Sequence, residues 1–235
     1  MRFLQALKQD IKYQFRNGFY YVHLFVSIIY IAILFKLPFE IQGIVTAMVI
    51  FSDPAMLGFF FVGAIILLEK EENIFEALFI TPLKVKEFIA ARVFSLSTIS
   101  LLTAFLIAIV IRGFHFNYIL LFISLILTAI FFTLQGLTIA VIVKTVNEYL
   151  IYSIIYSIIL VIPFLEFLNI YENILFYLWP TRASLVLIYG AFISNVGLYE
   201  IIYSILVLIV WIFIAYKLAY SYFNKYVILK IGDKR

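Results

Sequence analysis

The chain has 235 residues, 66% of them hydrophobic and 13% charged, with a formal net charge of +4 and no cysteine. Soluble domains average about 25% charged and about 45–50% apolar residues, so this composition belongs to an integral membrane protein. It excludes a disulfide framework or thiolate metal site, and in so apolar a chain the basic excess reads as a topology signal rather than a nucleic-acid footprint.

The first stretch, MRFLQALKQDIKYQFRNG, carries Arg2, Lys8, Asp10, Lys12 and Arg16 and lacks the apolar run and cleavage site of a secretory signal. It reads as an amphipathic helix over 1–17, with Leu4, Leu7, Ile11 and Phe15 on its apolar side. Six segments then reach the roughly 20 apolar residues that a crossing requires. They are 19–35, 44–68, 93–111, 118–143, 150–168 and 198–216. With six spans both termini share a side, which then holds fourteen Lys and Arg residues against three, Lys36, Arg112 and Arg182, on the other. That bias places both termini in the cytoplasm of a cell-membrane protein. The fold class is all-α, a single membrane domain over 1–235.

Within the second span, Asp53 precedes Pro54 and is expected to cap a helix starting there, a role preferred over proton or substrate handling. The 69–92 connection, EKEENIFEALFITPLKVKEFIAAR, is the densest charge in the chain. It reads as a helix with Phe75, Leu78 and Phe79 on one face and Glu72 and Glu76 beside them. Thr81 and Pro82 stop it and open a second amphipathic helix. In the fourth span Gln135 lies beside Gly136, Thr128 and Thr138, a composition that suits close helix approach. In the fifth, Tyr149, Tyr152 and Tyr156 recur at helical spacing, a candidate wall of a transport path or a subunit seam. The 169–197 connection is apolar but broken by Trp179-Pro180 and Gly190, and reads as short interfacial or re-entrant helices rather than a seventh span. Glu166 near the outer end of the fifth span and Arg182 just after Trp179-Pro180 are candidates for an ion pair, and His115 reads as a loop residue.

The segment FSDPAMLGFFFVGAIILLEKEENIFEALFITPLKVKEFIAARV resembles the ABC-2 type permeases, the membrane subunits of one class of ABC exporter. The shared pattern is a second span ending in a Glu-Lys-Glu-Glu run, an apolar helix, then Thr-Pro-Leu. The six spans, the amphipathic N-terminus and the helical loop before the last span are also similar, and the nearest look is to small drug or fluoroquinolone exporters. The resemblance implies a coupling helix between spans two and three that docks on separate ABC ATPase subunits. It also implies a contact face of Glu72, Phe75, Glu76, Leu78, Phe79, Thr81 and Pro82, with the N-terminal helix beside it.

The implied function is a permease that pairs with a second permease chain in the lipid bilayer to enclose a substrate path. ATP is used by the partner, since this chain carries no GxxxxGK[ST] loop. The chain itself is expected to be no enzyme, with no cofactor, metal or catalytic residue and no nucleic-acid partner. A path walled by Phe, Tyr, Ile and Leu favours an amphipathic substrate such as a drug, antimicrobial peptide or lipid, with Asp53, Gln135, Tyr149, Tyr152 and Tyr156 as path or seam candidates. The alternatives are a permease-like sensor and an ion-coupled transporter that needs no ABC ATPase. An intramembrane enzyme is disfavoured by the lack of an HExxH motif, an Asp pair or a Ser-His arrangement.

Overall fold

The computed structural model describes residues 2–53, 55, 58–78, 83–192 and 196–228, with backbone alone at 40, 77 and 78. Among the described residues every regular element is helical, the form in which a span satisfies its own backbone groups. In chain order these are α1 (Arg2–Arg16), α2 (Phe19–Leu34), α3 (Phe39–Ser52), α4 (Gly58–Glu71), α5 (Ile74–Leu78) and α6 (Val85–Arg112). There follow α7 (Tyr118–Ile142), α8 (Val146–Val161), α9 (Phe164–Phe167), α10 (Pro180–Phe192) and α11 (Leu198–Phe223). A 3-10 turn lies at Ile174–Leu178, and Asn224–Ile228 extends α11 as a π-helix.

Among the described residues three helices are each long and apolar enough to cross a bilayer: α6 with 28 residues, α7 with 25, and α11 with its extension at 31. The other expected spans are shorter or interrupted, and each interruption has a local cause. α2 has 16 residues and meets α1 at a 62° bend, where Gly18 adopts the left-handed φ of 80° that side chains resist. The second expected span contains α3, which starts after Pro38 and ends at Ser52, and α4, which starts at Gly58, with Asp53 and Ala55 between them in π-helical conformation. The fifth breaks at Pro163, which cannot continue the hydrogen-bond ladder of α8 and leaves α9 as one turn. α6 starts at Val85, where the Lys84 N–H donates to the Glu87 carboxylate at 2.9 Å, and it continues into the membrane without a break. The helix expected to begin at Thr81-Pro82 is therefore the first part of α6, and Thr81 and Pro82 lie outside the described residues.

α7 occupies the centre and packs against α4, α6, α10 and α11. Its approach to α4 depends on Gly136, where an added Cβ would lie 2.6 Å from the Phe59 carbonyl oxygen. Tyr149 of α8 fills the adjoining groove against Gly63, where a Cβ would fall 1.9 Å from its ring, and its hydroxyl donates to the Phe59 carbonyl at 2.7 Å. Glycines thus admit the ring that joins α8 to the bundle.

The 3-10 turn runs beside the first half of α11. The Tyr177 carbonyl accepts from Tyr203 at 3.2 Å and the Leu178 carbonyl from the Trp211 indole at 2.8 Å. Trp211 is roughly 20 Å along α11 from its start, at 1.5 Å per residue. α10 then returns, buried among α3, α7 and α11, until the Ala191 carbonyl accepts the Asn117 N–H at 2.8 Å beside the start of α7. The 3-10 turn and α10 form a hairpin that enters the bundle and leaves by the same end.

Candidate functional site

The charged run after α4 is divided among three tasks. Glu69 turns inward and accepts from Arg92 of α6 at 2.5 Å, while Asp10 of α1 approaches the same Arg92 nitrogen at 3.6 Å. Arg92 is buried with its guanidinium over the Phe88 ring at 5.2 Å, and Gln14 donates to Ser95 at 2.8 Å one helical turn further on. Burial pushes the Asp10 and Glu69 carboxyls above their ordinary range, with Arg92 opposing the rise. This junction fixes α1 along α6.

Lys70 turns the other way. Its ammonium donates to the carbonyls of Ala140, Val141 and Val143 at 2.7, 2.8 and 3.0 Å, closing the negative end of α7. Glu71 and Glu72 are left facing solvent, and Asn73, at the left-handed φ of 53°, turns the chain into α5. Glu76 of α5 is exposed as well.

Phe75, expected on a contact face, points inward instead. It packs edge-on against Phe88 and Phe223, with ring centroids 5.8 and 5.6 Å away, because α5 must cover the ends of α6 and α11. Of the remaining contact-face residues, Glu72 and Glu76 are at the surface, Leu78 lies in α5, and Phe79, Thr81 and Pro82 lie outside the described residues. Along α1, Phe3, Asp10 and Gln14 meet α6, while Leu4 and Phe15 remain exposed, so α1 packs on α6.

Inside the bundle Asp53 is buried and corrects a second expectation. Its oxygens are engaged by His23 of α2 at 2.9 Å and by the Thr103 hydroxyl of α6 at 2.5 Å, so the carboxylate joins three helices rather than capping the next one. The Phe61 ring covers the imidazole at 5.0 Å. The tyrosines of α8 separate. Tyr149 is core, Tyr156 stacks on Phe59 at 6.2 Å, and Tyr152 is exposed. Tyr152 and Tyr156 line a cavity of about 590 Å³ between α7 and α8 that opens beside Lys144 and Glu148. Gln135 is buried in α7, and among the described residues no hydrogen bond joins it to Asp53 or to these tyrosines.

At the end of the bundle away from α5, Arg182 of α10 donates from Nε to Glu166 at 2.8 Å and approaches Glu200 of α11 at 3.5 Å. The Tyr177 ring lies 3.7 Å over its guanidinium. The ion pair expected from Glu166 and Arg182 is present, and Glu200 is an addition.

The whole chain shares its pattern with known permeases. Residues 1–231 match the model of the fluoroquinolones export permease protein family. The chain belongs to that family. It is 28% identical over 234 residues to the fluoroquinolones export permease proteins of two Mycobacterium tuberculosis strains, CDC 1551/Oshkosh and H37Rv, covering 98% of this chain and 98% of each relative. Among the described residues of this permease, ion pairs lie at both ends of the bundle, around Arg92 and Arg182, and within it at His23 and Asp53.

Two features of this permease escape a reading along the chain. His23 lies 30 residues from Asp53, and the available signal is that each is an ionisable residue inside an otherwise apolar helix and needs a partner. Arg92 lies 23 residues from Glu69, on the far side of the 69–92 connection, so only the folding of α6 back against α4 and α1 reveals the pair.

Proposed function

We propose that the chain is the transmembrane subunit of an ATP-driven exporter, working as a pair of permease chains with separate ATPase subunits. In this reading the α5 end and both termini face the cytoplasm, and the broken helix pairs α3–α4 and α8–α9 complete six crossings. The observation that carries it is the arrangement around α5. Phe75 anchors the segment internally, Lys70 ties its base to α7, and Glu72 and Glu76 face outward, where a basic surface of an ATPase would meet them. A cleft of about 250 Å³ beside Asn73, Glu76, Lys144 and Tyr226 offers room for a partner side chain. The relatives are named for fluoroquinolone export, so a drug with an apolar ring system is the proposed substrate class.

The test is co-expression with a candidate ATPase and capture through this chain. Glu72→Lys is expected to reduce capture several-fold while the melting temperature stays within ~2 °C, because its side chain is at the surface. Undiminished capture would remove the assignment of this face.

The His23–Asp53 pair supports a second reading, an ion-coupled transporter, since buried ionisable pairs can relay protons. Drug efflux from liposomes driven by a proton gradient, with no ATPase present, would favour it over the first.

A further inference from the structure

We propose that the cavity at the end of the bundle away from α5 binds an organic cation with an apolar, ring-bearing body. The cavity has a volume of about 870 Å³, which suits a small molecule. Its floor is Arg182, which is already shared by Glu166 at 2.8 Å and Glu200 at 3.5 Å and covered by Tyr177. One guanidinium cannot neutralise both carboxylates, and Glu172 adds a third to the lining. The second oxygen of Glu166 is buried with no hydrogen-bond donor among the described residues, so Arg182 alone answers that carboxylate and has little charge left for the others. An anion would meet this surplus as repulsion, and a neutral molecule would leave it uncompensated. A cation answers it.

The walls supply the rest of the recognition. Tyr177, Tyr199 and Tyr203 present rings and Ile174 an aliphatic surface, the combination that holds a cation with an apolar body. These walls are preorganised: Tyr203 is bonded to the Tyr177 carbonyl, and the Asn173 side chain accepts from the Leu175 N–H at 2.9 Å. Tyr199, 84% exposed, stands at the mouth. As a binding site the cavity stands on its own geometry; as a station for an exported compound it rests on the permease reading.

The experiment is equilibrium dialysis of the purified full chain in dodecyl maltoside, with empty micelles as background. Two probes of matched shape and opposite charge are compared, tetraphenylphosphonium and tetraphenylborate. The cation is expected to bind at one per chain and the anion at least tenfold more weakly. Glu172→Gln with Glu200→Gln is expected to weaken the cation about tenfold, and Tyr199→Ala about threefold, with melting temperatures unchanged. Equal binding of the two ions by the unaltered chain, or cation binding indifferent to the paired substitution, would overturn the proposal. Neither result depends on ATPase capture, so failure here leaves the exporter reading standing, and loss of that reading leaves the site standing.

Discussion

Both ends of the bundle carry the same three-charge unit, an arginine between two carboxylates beside an aromatic ring, yet they behave as opposites. Arg92, with Asp10, Glu69 and Phe88, is sealed between α1, α4 and α6. Arg182, with Glu166, Glu200 and Tyr177, opens onto a cavity, and the Glu200 side chain is 42% exposed. The same chemistry is a joint where the chain closes over it and a receptor where one carboxylate stays in reach of solvent. What separates the two is packing. α1 lies along α6 and covers Arg92, whereas the 3-10 turn is tied to α11 and Tyr177 covers Arg182 while the Glu200 side chain stays open to solvent.

The comparison breaks most visibly at Arg92. Arg92→Met removes the counter-charge from two inward-facing carboxylates and is expected to cost about 3–5 kcal/mol, seen as loss of monodisperse protein in gel filtration. Adding Asp10→Asn and Glu69→Gln should restore part of the yield. Arg182→Met is expected to cost less, about 2–3 kcal/mol by thermal melting, because it leaves only Glu166 without its counter-charge while Glu200 can turn toward water. Equal losses at the two sites would erase the distinction between joint and receptor.

Acidity provides a finer test. Burial raises the folded-state Asp10 and Glu69 carboxyls above their ordinary values of 3.8 and 4.5. Their contribution to stability is therefore fully present below those values and is lost as pH climbs through the raised ones. Melting followed by tryptophan fluorescence should therefore move upward as pH falls from about 7 toward the ordinary carboxyl range, and Asp10→Asn should flatten the change. The smallest effect is expected at the open end. Glu200→Gln should alter stability by less than about 0.5 kcal/mol, since its carboxylate is partly solvated and its partner keeps Glu166.

Several features were legible in the sequence because they are local. Apolar length gives α6, α7 and α11; Trp179-Pro180 marks the break between the 3-10 turn and α10, whereas Gly190 lies inside α10 and interrupts nothing; Glu166 and Arg182 pair by proximity to the same loop. Gly136 announced the close approach of α7 to a neighbour. The Asp10–Arg92 and His23–Asp53 contacts were not legible, because hydropathy gives the spans and not which faces of them meet. Phe75 shows the same gap on a smaller scale. Helical spacing puts it on an apolar face, and both an external partner and the ends of α6 and α11 satisfy that pattern. The position of Asp53 before Pro54 suggested a cap, and the tertiary fold instead supplied two side-chain partners for its oxygens.

The grip of Lys70 on three carbonyls fastens the segment after α4 to the end of α7. A tilt of the short segment after α4 would be delivered to the last turn of α7, the helix against which α4, α6, α10 and α11 all rest. Motion imposed at one edge would thus be received at the hub and shared among its spokes.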